Sequence, residues 1–504
     1  MKFKKIIPRP IACSALLILL AMLVGTLSGC GMIVINNHGE VTDEATTLPS
    51  ETIEVTTPET DVQTEPPTEE VTEPSETTPP PNVVTFPDRV GEAEERLEAI
   101  EDLVGVSNFD LIIASASDTA NVIFCTEDSP LYLARSKRNA MLYEKFEVNV
   151  KTIYESADSA KIYDDLLLAS QAGENVEIYL DLIIIPANQV GRFLAKGLIK
   201  DMRSLPFYSG ATDNGSIGYS RYADLGNGTD TPEYIYTLYF NRAMLGDDAS
   251  KKLYEGSLDG TLTFESIAEA AKVATARASD IGVCTDSGLL GDLAVTLSGV
   301  TYINKDASGV PKLEISESDL LRLDLLIESA SRLTVYQQSE NTVPAFDRFK
   351  SGEIPFYLGT LSDMLDLYDE KIEWGVLALP SEHDLGAISD NRPVVCLPIT
   401  ATRLEQTSIW LSGFNAASGD WIRDTFLRTA IENYLRDNSS CLTLSKLLSQ
   451  KTELGFEHIF AGYYDGLADA TYGGAGEAVS GNIRYSDIYS KKLSALNKKL
   501  SKLP

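Results

Sequence analysis

The chain has 504 residues, of which 43% are hydrophobic and 8% aromatic, a globular composition with room for two domains. Its formal net charge is −32, and the residues after Thr85 alone carry 38 basic and 62 acidic side chains. A surface of this sign repels phosphate backbones and anionic headgroups, so nucleic acid and anionic lipid headgroups are excluded as partners.

The first thirty residues predict where the chain works. Four basic residues precede an uncharged, mostly apolar run from Ile11 to Leu27, and small residues follow it. This order is typical of a secretory signal, and Leu27-Ser28-Gly29-Cys30 resembles a bacterial lipobox. The resemblance implies that Cys30, the last residue of the signal segment 1–30, receives a diacylglycerol and that the peptide before Cys30 is cut away. We therefore expect a lipid-anchored protein on the extracellular face of a Gram-positive cell membrane, with an uncleaved anchor helix as the alternative.

Residues 31–90 are predicted to form a disordered tether. The tract from 40 to 85 is rich in Thr, Pro and Glu and contains no Lys or Arg. Proline disfavours helix, like charges repel, and few apolar side chains are present to offset the entropy of ordering. At about 3 Å per residue the tract would reach roughly 100 Å at most. A repeat-based adhesin stalk is the alternative, but the tract has no fixed period.

Strands and helices alternate after the tether. A short amphipathic helix comes first, with apolar residues at helical spacing over 91–104. The elements that follow are two β-rich runs, a helix, a strand, a helix and a buried strand, at 109–115, 121–125, 129–146, 148–154, 160–172 and 182–185. This alternation predicts a doubly wound α/β domain with a parallel sheet.

The carboxyl ends of the strands supply the first candidate ligand-binding residues, because ligands of such sheets bind there. Ser115 and Ser117 follow the first β-rich run. Pro186 and Asn188 follow the buried strand.

The order of several segments resembles that of the extracellular solute-binding proteins (family 1-like) of bacterial ABC importers. The segments are LYEKFEVNVKTIY, DLIIIPANQVGRFLAKGLIKDMRSLP, YTLYFNRAML, LTFESIAEAAKVAT, FKSGEIPFYLGTL and WGVLALPS. The similarity is ordered over roughly 109–500, although no single motif in it is specific. It implies a two-lobed, type II periplasmic-binding-protein-like α/β fold with an interlobe cleft. The first lobe would comprise 91–232 and 398–455, and the second 233–397 and 456–504.

Six further candidates for ligand contacts lie on segments that this resemblance places at the cleft: Tyr239, Asn241, Gly359, Thr360, Tyr463 and Tyr464. Tyrosine rings and amides bind sugar rings or peptide groups, and backbone N–H groups at Gly359-Thr360 can donate to an anionic or carbonyl oxygen. Each has a structural alternative. Tyr239 can pack in a strand, Asn241 and Thr360 can cap helices, and the late tyrosines can pack on the core instead of covering a ligand from a Gly-rich loop.

The resemblance implies capture of a small-molecule solute and its delivery to ABC permease subunits by a monomer. A saccharide is the first expectation for the solute and an oligopeptide the second. Cys125, Cys284, Cys396 and Cys441 can form two disulfides or remain buried thiols.

No catalytic residue, cofactor or metal site is predicted. The chain has three histidines and no GxSxG, HExxH, CxxC or P-loop segment. An extracellular glycoside-acting enzyme is the alternative, because a pair of catalytic carboxylates has no local signature. A surface adhesion lipoprotein without a transport role is a third possibility.

Overall fold

The structure is a computed structural model. It describes residues 89–102, 109–116, 129–153, 159–172, 179–208, 222–223, 231–275, 282–285, 287–305, 311–333, 343–368, 371–464, 466–481 and 483–500. In chain order, the strands β1 to β12 are Asp110–Ser115, Asn149–Ile153, Leu182–Pro186, Tyr236–Asn241, Val283–Cys284, Ile303–Lys305, Pro311–Leu313, Phe356–Thr360, Trp374–Leu377, Leu385–Ala387, Pro393–Cys396 and Lys451–Glu453.

The helices alternate with the strands in the first part of the chain and follow one another in its last part. In chain order, α1 to α18 are Val90–Glu98, Tyr132–Phe146, Ser159–Ala172, Val190–Ala195, Arg242–Leu245, Asp247–Asp259, Phe264–Thr275, Ser287–Leu297, Glu317–Ser331, Ala345–Lys350, Met364–Leu367, Leu404–Ala417, Asp420–Asn433, Asn438–Ser449, Phe456–Phe460, Leu467–Ala470, Tyr472–Gly481 and Tyr485–Leu500.

The first sheet has the strand order β11-β3-β1-β2. β1 is parallel to both β2 and β3, and β11 is antiparallel to β3. All five residues of β3 are buried, which explains its apolar side chains on both faces. The α/β class predicted from the sequence is confirmed.

Asp181, directly before β3, connects this strand to β1 and to the segment that precedes α12. Its carboxylate accepts a hydrogen bond of 2.8 Å from the Ile112 backbone N–H in β1. It also accepts one of 2.9 Å from Nε of Arg403, which lies directly before α12. A buried carboxylate with both a backbone donor and a guanidinium partner is well satisfied.

The second sheet has the strand order β5-β8-β4-β9, with β5 parallel to β8 and both β8 and β9 antiparallel to β4. Aromatic side chains from its neighbouring strands pack against one another. The Tyr239 ring lies 6.0 Å from the Tyr357 ring and 5.8 Å from the Trp374 ring. Trp374 is therefore a core residue, and its indole N–H donates to the Leu367 carbonyl.

Three extended segments lie side by side between the two sheets, and we call residues 231–235, 385–392 and 451–453 the first, second and third crossings. Ile235, directly before β4, forms an antiparallel bridge with Ile388, directly after β10. β10 in turn is parallel to β12. Two sheets joined by adjacent extended segments form two lobes with a hinge, which confirms the two-lobed fold expected from the sequence.

The chain segments that make up each lobe differ from those expected from the sequence. Pro393–Cys396 lies in the first sheet, although the boundary at 398 assigned it to the second lobe. α14 packs against α6 and β9 of the second lobe, and α15 packs against α4 of the first. The lobe to which each of these segments belongs is set by contacts between residues that are distant in the sequence.

Tight packing of α8 against α17 completes the second lobe. A Cβ on Gly291 would lie 2.5 Å from the Ala475 carbonyl carbon, and one on Gly476 would lie 2.6 Å from the Gly288 Cα. The Gly-rich stretch that the sequence suggested as a loop over the ligand is therefore a helix at this point, and its small residues permit close backbone contact.

Candidate functional site

The carboxyl ends of the parallel strands in both sheets lie at the crossings. In the first lobe, Pro186 at the end of β3 pairs with Pro393, which follows the second crossing. In the second lobe, Thr360 at the end of β8 pairs with Tyr236, which follows the first crossing. The strand ends of both lobes therefore face one interlobe region, which is where an α/β fold binds ligands.

Asn188 lies in this region. It is half-buried in a short 3₁₀ turn after β3, and its Nδ2 donates to Oδ1 of Asn391 over 3.0 Å. Its backbone N–H donates to the Asp390 carbonyl, also over 3.0 Å. These bonds join the end of β3 to the second crossing and hold the Asn188 amide at the interlobe edge.

Ser115 and Pro186 lie at the same edge of the first sheet. Ser115 is 2% exposed, and its hydroxyl has no hydrogen-bond partner within the described residues. Pro186 is buried and contributes strand pairing. Ser117 lies outside the described residues, as do Cys30, Cys125 and the signal and tether up to residue 88.

Tyr239 and Asn241 occupy structural positions in β4. The Tyr239 side chain is fully buried, and its hydroxyl donates to the Thr360 carbonyl over 2.7 Å. Asn241 caps α5, with its Oδ1 accepting from the Met244 N–H over 3.2 Å. The packing and capping alternatives describe both residues in this structure.

Thr360 is also a cap. Its N–H donates to Oδ2 of Asp363 over 2.8 Å, within a capping box that starts the 3₁₀ turn after β8. Burial raises the pKa of Asp363 above its ordinary value, against the lowering effect of this N–H. A Cβ on Gly359 would lie 2.2 Å from the Asp363 Oδ2, so this close approach requires glycine. The N–H expected to meet a ligand is therefore bound to a neighbouring carboxylate.

Tyr463 and Tyr464 follow α15. Tyr464 is buried, and its ring stacks on Phe456 at 6.2 Å. Tyr463 is half-buried, and its ring meets the Tyr464 ring edge-on at 4.7 Å. Of the two, Tyr463 has the more accessible aromatic face.

A polar cluster that sequence reasoning did not select lies between the lobes. His458 on α15 is 4% exposed, and its Nε2 lies 2.7 Å from Oδ1 of Asp292 on α8. The Tyr472 ring stacks on the imidazole at 4.6 Å with an interplanar angle of 8°. Partners 166 positions apart leave no local signal. The scarcity of histidine is the one feature of the sequence that draws attention to His458.

The charges around His458 favour its protonated form. Burial alone would lower its pKa, but the Asp292 carboxylate, with Glu457 and Asp390, raises the pKa to about 9. Burial raises the pKa of Asp390, and the positive charge of His458 opposes that rise. At neutral pH the cluster therefore holds an imidazolium among carboxylates.

Other kinds of site are less well supported by the described part of the chain. Within it, no group of three or more His, Cys, Asp or Glu residues is arranged to hold a metal ion. No helix described there combines the length and the apolar character needed to span a bilayer. A groove of about 350 Å³ lies between α7 and α9, and its lining includes Phe264, Arg322 and Ser381 but no residue of the first lobe.

Comparison with known proteins gives similarities of fold at low identity. No protein-family model matches the chain, and no curated protein does. Solved structures that match include the galacto-N-biose-/lacto-N-biose I-binding protein of an ABC transporter from Bifidobacterium longum, at 14% identity and a TM-score of 0.48. This match covers 78% of this chain and 97% of that one.

Two other solved structures give similar values. The sugar-binding protein MalE from Xanthomonas citri matches at 9% identity and a TM-score of 0.49, over 78% of this chain and 98% of its own. A family 1 extracellular solute-binding protein from Bifidobacterium longum subsp. infantis matches at 12% identity and a TM-score of 0.45, over 79% of this chain and 100% of its own. These are proteins of the class that the sequence resembles, while the fold assignment rests on the sheet topology and crossings described above.

Proposed function

We propose that this protein binds a small solute between its two lobes without chemical turnover. One observation carries the proposal: the strand ends of both sheets face a single region beside three adjacent crossings. Hinge bending at such crossings lets two lobes close around a solute, and backbone and side-chain polar groups converge at strand ends to hold it.

The residues that contact the solute are proposed from their positions at this edge. Asn188 offers an amide, and Ser115 offers a hydroxyl without a partner among the described residues. Tyr463 offers a half-buried ring. An aromatic face with amide and hydroxyl groups suits a saccharide, which stacks on rings and exchanges hydrogen bonds, and an oligopeptide is the second candidate.

The proposal is tested by thermal-shift measurements with oligosaccharides, peptides and amino acids. A solute at 100 times its Kd should stabilise the protein by about 2.7 kcal/mol through mass action. Asn188→Ala should reduce that response, measured relative to the melting temperature of the same variant without solute. Asn241→Ala is the matched control, since removal of the cap lowers the melting temperature but leaves the response to solute intact. If no solute of these classes shifts the transition, solute capture is rejected.

A glycoside-acting enzyme is the alternative that the same screen separates. Any solute that stabilises the protein is incubated with it, and its consumption is followed over many equivalents. Binding predicts an unchanged solute. Steady product formation would assign the interlobe carboxylates a catalytic role instead.

The proposed cellular role depends on residues that lie outside the described part of the chain. The lipobox-like segment ending at Cys30 and the acidic tether support a lipoprotein on the extracellular face of a Gram-positive membrane. It would act as a monomer. Such a protein would deliver its solute to ABC permease subunits. Cys30→Ala should release the protein from membranes or leave the signal uncut. Unchanged detergent partitioning together with an unchanged mass would reject lipidation.

A further inference from the structure

The contact between His458 and Asp292 joins elements that belong to different lobes. His458 lies on α15, which packs against α4 and the 3₁₀ turn after β3 in the first lobe. Asp292 lies on α8, which packs against α9, α17 and β10 in the second. The bond of 2.7 Å between their side chains therefore spans the interlobe region.

α15 is fixed to the first lobe by contact between backbones. A Cβ on Gly191 of α4 would lie 2.9 Å from the Ile459 carbonyl oxygen and 3.0 Å from the Phe460 Cα. A Cβ on Gly462 would lie 3.1 Å from the Arg192 backbone nitrogen. Contacts this close move as one body, so His458 follows the first lobe when the hinge bends.

The groups that face His458 from across the interlobe region are fixed to the second lobe in the same manner. Asp292 follows Gly291, which touches the backbone of α17 at Ala475. Tyr472, stacked on the imidazole, is the first residue of α17. Hinge opening would therefore separate the imidazole from both its carboxylate and its ring partner.

The titratable groups that act on the imidazole include Asp292 of α8, Glu457 of α15 itself, Asp390 of the second crossing and Tyr472 of α17. Nε2 binds Asp292, while Nδ1 lies 3.7 Å from Oε1 of Glu457. Among the described residues Nδ1 has no hydrogen-bond partner, although it is buried. The hydrogen bond to Asp292 is therefore the main attractive contact of the His458 imidazole.

We infer that the His458–Asp292 pair is a latch that holds the two lobes together in the protein before any solute binds. A charged hydrogen bond in a region shielded from water is stronger than one at the surface, and its geometry is lost on opening. The inference rests on the two-lobed architecture of the proposed function but not on the identity of the solute. Its test uses unliganded protein, so its failure is distinct from a failure to bind solutes.

The test is small-angle X-ray scattering of the full chain, without solute, at pH 7 and pH 10. We expect Asp292→Asn to increase the radius of gyration at pH 7, since the pair loses its negative charge and with it the charged form of the hydrogen bond. The wild type should expand in the same direction between pH 7 and pH 10, as the imidazole loses its proton. His458→Gln, which can donate a neutral hydrogen bond, should show no such expansion with pH. His383→Gln is the matched control and should scatter like the wild type.

Imidazole NMR signals give the second measurement, because the chain has only three histidines. The signal that disappears in His458→Gln should titrate near pH 9 in the wild type and nearer 6.5 in Asp292→Asn. Titration near 6.5 in the wild type would overturn the latch. So would identical scattering by the wild type and Asp292→Asn, even if the variant melts earlier, since that result indicates a packing role alone.

Discussion

The buried imidazole of His458 makes the stability of the protein depend on pH. Its pKa in the folded protein is about 9, compared with an ordinary value of 6.5, because Asp292, Glu457 and Asp390 outweigh the effect of burial. A raised pKa contributes stability that is fully present below pH 6.5 and is lost as the pH rises through about 9. Since one pKa unit corresponds to about 1.4 kcal/mol, this contribution is on the order of 3 kcal/mol.

We therefore expect the free energy of unfolding, measured by urea denaturation, to decrease between pH 6.5 and pH 9.5. In His458→Gln the same decrease should be largely absent, because glutamine does not titrate. A wild type and variant with parallel pH profiles would show that the imidazole is not charged in the folded state.

The Asn241 cap is a second feature at the residue scale. Its Oδ1 satisfies the Met244 N–H at the start of α5. Asn241→Ala should lower the free energy of unfolding by about 1 kcal/mol, and Asn241→Ser should restore most of it, since both side chains cap well. Equal losses in the two variants would point to packing of the amide and not to capping.

The roles of residues that depend on near neighbours in the chain could be predicted from the sequence. Asn241 and Thr360 precede helical turns, so their capping roles follow from neighbours within three positions. His458 depends on Asp292, which is distant in sequence, and no periodicity or motif links them. For Tyr239 the sequence does not distinguish a ligand contact from packing, because strand alternation does not reveal which face a second layer covers.

At the scale of elements, the packing of α8 on α17 depends on glycine. Gly291→Ala would force its Cβ to within 2.7 Å of three backbone atoms of α17, and backbone cannot rotate away. We expect a loss of about 1–3 kcal/mol in the free energy of unfolding, the usual cost of overpacking. Gly91→Ala is the matched control. Gly91 is an exposed residue of helix α1 with nothing within 4 Å of its Cβ position, so this substitution should be neutral or stabilising by up to about 1 kcal/mol. Similar losses in both variants would remove the argument for helix contact.

Several elements in the first part of the chain, β2, β3, α2 and α3, lie close to the positions predicted from the sequence. Their hydrophobic periodicity and their stop signals are local. The helix α17 was not predicted, because glycine has a low helix propensity and four glycines lie in or at the end of this segment. Tertiary packing against α8 overrides that propensity.

At the scale of the whole molecule, the first crossing is tied to the first lobe by a buried ion pair. Nη2 of Arg135 on α2 lies 2.7 Å from Oε1 of Glu233, and the Arg135 side chain is 1% exposed. Glu233→Gln would leave a buried guanidinium without its counter-charge, so we expect a loss on the order of 2 kcal/mol in urea denaturation. The exposed pair of Lys137 and Glu94 provides the control, as Glu94→Gln should cost less than about 0.5 kcal/mol. Equal effects of the two substitutions would contradict a special role for the crossing.

The two-lobed architecture could be predicted from the order of segments, but the division of the chain between lobes could not. Residues 393–396 join the first sheet through pairing with β3, some two hundred positions earlier. Such pairings are set by the register of distant strands, which a single sequence does not reveal.

The exchange of segments near the carboxyl terminus limits how this protein can be shortened. α15 covers the first lobe, whereas α17 and α18 cover the second. A fragment that stops before residue 451 would leave apolar surface bare in both halves, and neither half corresponds to one continuous stretch of chain. Assembly of the native molecule therefore has to wait for the last fifty residues, and a frameshift or proteolytic cut there would disable both halves at once.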